Sequence, residues 1–198
     1  MLSPDARVAL HPEATYRQLI AEAGPPAWRV LLRPALVLLV IAVGLPVAAV
    51  HQVTLDLLVT TAAAWFAIVL IQAAIGAAVI AWPSRRHVGF IHALDLWFAG
   101  HLPYSLWILA LPVLYVVPLG TPHELMAASF VVPFVWTTTI VVAFCRVVLG
   151  LEPTAARRHA AVHLLLVVIV GSALVLWAAG GPAALLSYVV RRWNGMWT

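Results

Sequence analysis

Five long apolar runs, separated by short polar connectors, fill most of this chain and leave it few ways to fold. They extend from about Pro34 to Val50, Leu57 to Trp82, Val88 to Val117, Glu124 to Leu149 and about Ala160 to Ala179. A helix that crosses a bilayer needs about 20 apolar residues, because the hydrocarbon core is about 30 Å thick and each residue rises about 1.5 Å. Lipid offers backbone groups no hydrogen-bond partner, so such runs must close their own hydrogen bonds as helices. The expected fold is therefore all-α: a polytopic transmembrane helical bundle of about five spans. Charged residues make up only 9% of the 198, against about 25% in a soluble domain. The expected organisation is a cytoplasmic segment over 1–33, a five-helix domain over 34–181 and an interfacial tail over 182–198.

Arginine placement orients these helices. All eleven basic residues are Arg. Arg7, Arg17, Arg29 and Arg33 precede the first run, Arg85 and Arg86 lie in the second connector, and Arg146, Arg157 and Arg158 flank the last. The connectors His51 to Asp56 and Pro118 to Pro122 have none. By the positive-inside rule this alternation puts the N-terminus in the cytoplasm and the C-terminus outside. Arg191 and Arg192 run against it, on a tail ending in Trp193 and Trp197 that reads as an interfacial segment. The formal charge of +4 comes from arginines spread over the N-terminal segment, the connectors and the tail. It points to lipid headgroups and membrane protein partners, with no nucleic acid.

Local signals set the element ends. Thr121-Pro122-His123-Glu124 has the form of a capping box opening the fourth helix, and Gly150 is a candidate C-cap. Pro153-Thr154 predicts that the fifth helix starts before its apolar run. Glu13 to Ala23 predicts a short juxtamembrane helix with Tyr16, Leu19, Ile20 and Ala23 on one side, stopped by Gly24-Pro25-Pro26 and followed by Trp28 as an interfacial anchor. The polar N-terminus lacks the apolar core and cleavage site of a signal peptide, so the first run is expected to stay in the mature chain.

Ionisable residues inside spans are costly, about 2.5–3.5 kcal/mol at mid-bilayer. Asp95, with His92 three residues earlier, lies about two turns into the third run; Arg146 lies at a similar depth on the fourth. The expected arrangement is an Asp95–Arg146 ion pair joined by His92, a structural pair or the start of a proton or ligand site. His101 lies deeper, beside Pro103, which frees a backbone carbonyl one turn earlier; Tyr104 or Ser105 can help satisfy the resulting kink. His92 and His163 sit at comparable depth and are the weak candidates for a b-type haem. Satisfied polar histidines and no cofactor are the default, since no second matched pair and no HExxH exists. Gln72, Gly76 and Thr137-Thr138-Thr139 read as helix–helix contacts, small residues allowing close approach and hydroxyls bonding across helices. Cys145 reads as a small buried hydrophobe. No phosphate loop, nucleophile elbow or paired-carboxylate motif specifies an enzyme, and no catalytic residue or metal site is assigned.

The order of features resembles the Yip1 family of five-span membrane proteins. The resemblance rests on Pro25-Pro26-Ala27-Trp28 with Arg33-Pro34, on Gly89-Phe90-Ile91-His92-Ala93-Leu94 with His101-Leu102-Pro103-Tyr104, and on Val135-Trp136 to Gly150-Leu151 leading into Ala155-Ala156-Arg157-Arg158. It covers roughly residues 15 to 180 and implies a cytosolic N-terminus, five helices and an outside C-terminus. The expected role is non-catalytic: a scaffold or membrane-organising factor in a bacterial cytoplasmic membrane. Two alternatives stay open, an anchor subunit of a larger redox or transport complex and a small transporter built on the Asp95 region.

Overall fold

A computed structural model describes residues 3–50, 54–83, 87–116, 129, 131–178, 181 and 187. Among them every regular element is a helix: α1 (Pro4–Leu10), α2 (Pro12–Leu19), α3 (Ala27–Val50), α4 (Leu55–Ala81), α5 (Phe90–Ala99), α6 (Leu102–Val116), α7 (Val131–Val147) and α8 (Pro153–Ala178). The chain divides into two compact units, 1–161 and 162–198. The 121–124 cap, Arg85, Arg86 and nearly all of the C-terminal tail lie outside the described residues.

Among the described residues three helices are long and apolar enough to cross a membrane: α3 over Ala27–Gly44, α4 over its full length and α8 over Pro153–Val170. Their large side chains face outward. Leu36, Leu39 and Val40 on α3, Phe66 and Leu70 on α4, and Leu165, Val168 and Ile169 on α8 are all exposed. An apolar exterior of this extent is stable against lipid and not against water. This is a membrane protein.

The first span differs from expectation at its start. α3 begins at Ala27, seven residues before the apolar run, and carries Trp28, Arg29, Arg33 and Pro34 within it. Trp28 is 66% exposed, as an interfacial anchor would be. α8 starts at Pro153, as its proline predicts. α4 opens on Thr54, whose hydroxyl accepts from Leu57 N at 3.2 Å. Gly150 ends α7 at φ +65°, and the Leu151 N–H reaches back to Cys145 O at 3.1 Å. A side chain at 150 would also collide with His87, so glycine is required there twice over.

The third apolar run is two helices. Pro103 has no N–H to give Ala99, and the helix breaks at Gly100-His101. The joint is closed locally. His101 N–H donates to Phe98 O at 3.1 Å, Ser105 Oγ donates to His101 O at 3.1 Å, and His101 Nδ1 lies 2.8 Å from Trp97 O. Ser105 thus bonds the carbonyl one turn before itself, and not the Ala99 carbonyl that Pro103 frees. Pro112 lies within α6, which runs on through it.

The N-terminal segment holds two helices where the sequence predicts one. Ser3 caps α1 by accepting from Ala6 N at 3.2 Å, with Pro4 at the first helical position. α2 covers 12–19, shorter than the expected 13–23. Tyr16 and Leu19 are buried as the spacing predicts, Ile20 partly so, and Ala23 is exposed beyond the helix. The pair is a hairpin within the first unit, packing on α5, α6 and α7. Val8 and Tyr16 are fully buried. Trp136 Nε1 donates to Ala9 O at 2.8 Å, and Tyr16 meets Phe144 edge-on at 5.8 Å between ring centres. Trp97 and Phe144 complete this aromatic core, 5.4 Å apart. Gly76 of α4 makes room for Trp97: a Cβ there would stand 2.5 Å from the indole Nε1.

Candidate functional site

Arg33 is the centre of the polar architecture. Starting α3 at Ala27 turns this residue from a flanking charge into a helical one, about 9 Å along the axis. Its guanidinium spans two carboxylates on two other helices. Nε donates to Asp5 Oδ2 at 3.1 Å and Nη2 lies 2.9 Å from Asp5 Oδ1. Nη1 pairs with the Asp95 carboxylate and also donates to Asp95 O at 3.1 Å. The planar fork of arginine suits such divided pairing, which a point-charge ammonium would not make.

Asp95 was expected to pair with Arg146, and it does not. Its partner is Arg33, while Arg146 pairs with Glu13 of α2, which also holds Arg17 at 3.2 Å. The reason is azimuth. Equal depth on two helices does not make two side chains face each other, and the cation nearest to α5 comes from α3. His92 lines the groove of about 330 Å³ where Arg33, Asp5 and Asp95 meet, and packs against the Gly24 turn. Both arginines therefore bind the hairpin: one acidic residue from α1 and one from α2 reach a cation on a longer helix.

Burial pushes the Asp5 carboxyl above its ordinary value. The Arg33 charge and hydrogen bonds oppose the rise, and the Asp95 carboxylate adds to it. Burial likewise raises the Tyr16 hydroxyl, which stays protonated and donates to Leu96 O at 3.4 Å.

On the other side of Arg33 lies a cavity of about 100 Å³ between α3, α4 and the α5–α6 joint. Pro34, Val37, Leu38, Val69 and Phe98 give it apolar walls; Trp65, Gln72, His101, Tyr104 and Ser105 add polar atoms. Trp97 O can only accept, so His101 Nδ1 is the donor and Nε2 of the neutral ring is an acceptor. Gln72 Oε1 is buried and has no hydrogen-bond partner among the described residues. Non-helical backbone at membrane depth is tolerated where protein or a cavity surrounds it, and the joint sits at such a place.

The four expected cluster residues thus separate. Asp95 and His92 share the Arg33 groove, His101 lines the neighbouring cavity, and Arg146 belongs to a third groove with Glu13, Arg17, His87 and Glu152. Arg33 and Asp5 belong to the site although the sequence does not mark them as site residues. The Ser3-Pro4-Asp5 start has the same form as Thr121-Pro122 and marks α1, which carries Asp5 to the site. Of the haem candidates, His92 belongs to the first unit and His163, which is buried, to the second. His159 packs on Trp82 at 5.1 Å. Among the described residues no group of three or more His, Cys, Asp or Glu is arranged to hold a metal ion. Two of the three threonine hydroxyls turn to their own helix, while Thr137 Oγ1 is buried with no hydrogen-bond partner among the described residues. Thr138 Oγ1 donates to Phe134 O at 2.7 Å and Thr139 Oγ1 to Val135 O at 3.1 Å, instead of bonding across helices. Cys145 is buried, as expected.

Comparison with protein-family profiles, with curated proteins and with solved structures finds no match.

Proposed function

We propose that this chain is a non-catalytic, Yip1-like membrane protein that acts as a scaffold or membrane-organising factor through helix–helix and lipid contacts. The observation that carries this reading is the use made of its charges. Arg33 and Arg146, with Asp5, Asp95 and Glu13, are joined in pairs that fasten an N-terminal hairpin to longer helices. Groups so spent serve a fixed surface better than acid–base turnover. Five spans follow if α5 and α6 cross as one broken helix, about 40 Å end to end, and the apolar run that contains α7 crosses as a fourth. The arginine alternation supports a cytoplasmic N-terminus and an external C-terminus in a bacterial cytoplasmic membrane.

Purification of the intact chain from native membranes in mild detergent tests the reading. A membrane-protein complex of fixed stoichiometry, with lipid retained and no cofactor absorbance, is the expected result. A Soret band lost in His92→Ala would favour the anchor of a redox complex. Solute flux abolished in a folded Asp95→Asn variant would favour a small transporter. Either outcome would displace the scaffold.

A further inference from the structure

The cavity beside the α5–α6 joint has a composition that selects its ligand. Its walls are apolar and aromatic, with Phe98 and Trp65 among them, and its volume of about 100 Å³ is close to that of one substituted six-membered ring. Engineered apolar cavities of comparable size stay dry and take up benzene-sized molecules. Among the described residues the one charged group at its edge, Arg33, already holds Asp5 and Asp95. An anion entering here would find that guanidinium already met by two carboxylates, and a cation would face the guanidinium itself; either charge in a low-dielectric site costs several kcal/mol. The ligand must therefore be neutral. Gln72 Oε1 sets the remaining requirement. The Gln72 side chain lines the cavity and its oxygen is buried without a hydrogen-bond partner among the described residues, so a ligand donor satisfies it once the terminal amide turns toward the cavity. Val37, Leu38 and Val69 in its wall are only half-buried, on helices whose Leu36, Leu39 and Leu70 are exposed, so an apolar ligand would come from the lipid side.

We infer that this cavity is a binding site for a neutral, bilayer-soluble aromatic ring bearing a hydroxyl, of the phenol or quinol type, with the hydroxyl donating to Gln72 Oε1 and the ring packed against Phe98 and Trp65. The site stands whether or not the chain is a scaffold, since it rests on the cavity and not on the hairpin.

Equilibrium dialysis of the full chain in micelles, with empty micelles as the reference, tests it using radiolabelled phenol and its methyl ether anisole. Wild type is expected to bind one phenol per chain saturably, and anisole about tenfold more weakly, because the ether has no donor. Gln72→Leu should bind both about equally, and Val69→Phe, which fills the cavity, should bind neither. The inference is overturned by the absence of saturable phenol binding in wild type, which would mean that water alone occupies the cavity. Equal affinity for phenol and anisole in wild type would overturn it too, as would a phenol preference that survives in Gln72→Leu. The wild-type comparison of the two ligands decides even where a variant does not fold.

Discussion

Arg33 answers two carboxylates at once, so its removal strands both. Arg33→Met is expected to cost about 2 kcal/mol, below the about 3–5 kcal/mol of a fully buried pair because the arginine side chain is 30% exposed. Thermal unfolding in detergent measures it. Asp5 behaves differently, because its folded-state value lies above its ordinary one of 3.8. The folded state then binds the proton more tightly than the unfolded chain. The stability this group contributes is fully present below its ordinary value and is lost as pH rises through the raised one. Relative to Asp5→Asn, wild type should lose melting temperature as pH climbs from about 4, then run parallel to the variant. A wild type that gains stability over the same interval would show that Arg33 outweighs burial. At neutral pH Asp5→Asn should consequently be mild, within about 1 kcal/mol of wild type.

The helices meet through two close fits that single residues control. A Cβ at Gly76 would press on the Trp97 indole, so Gly76→Ala should cost about 1–3 kcal/mol, and Trp97→Phe should recover part of it in the double variant. Simple additivity of the two losses would remove the contact as the cause. Tyr16→Ala empties a site at the heart of the hairpin contact and should cost about 3–5 kcal/mol. Limited trypsin digestion reads the result at this scale: cleavage after Arg17 should quicken in Tyr16→Ala and not in Tyr16→Phe, which keeps the ring. What the sequence reveals at this scale is what depends on local chemistry. The apolar runs, the Pro103 break, the Pro153 start, the Gly150 stop and the buried side of α2 all follow from residues within one or two turns. The ion pairs do not. Asp95 lies 62 positions from Arg33 and Glu13 lies 133 from Arg146, and choosing between partners requires the rotation of each helix about its axis. Arg33 was also masked by its neighbour, since Arg-Pro at the head of an apolar run reads as a flank although α3 continues through it.

For the molecule as a whole, the outward-facing Leu, Ile, Val and Phe of α3, α4 and α8 require a bilayer, and the side on which each end emerges depends on the number of crossings. Five crossings put the two termini on opposite sides. Cysteines appended at each end should react with a membrane-impermeant maleimide from opposite faces of sealed vesicles, with the buried Cys145 silent. Reaction of both from one face would require an even number of crossings and a new assignment of the broken helix.

The position of Asp5 along the chain has a consequence for biosynthesis. It leaves the ribosome 28 residues ahead of Arg33, whereas Asp95 follows 62 residues later. The first greasy segment can therefore reach the translocon with its guanidinium already neutralised by a residue of its own leader, and exchange to a shared arrangement once α5 has been made. Asp5→Ala in the full-length protein should lower the fraction of nascent chains whose first segment integrates, as scored by glycosylation mapping, and an unchanged fraction would confine Asp5 to the finished structure.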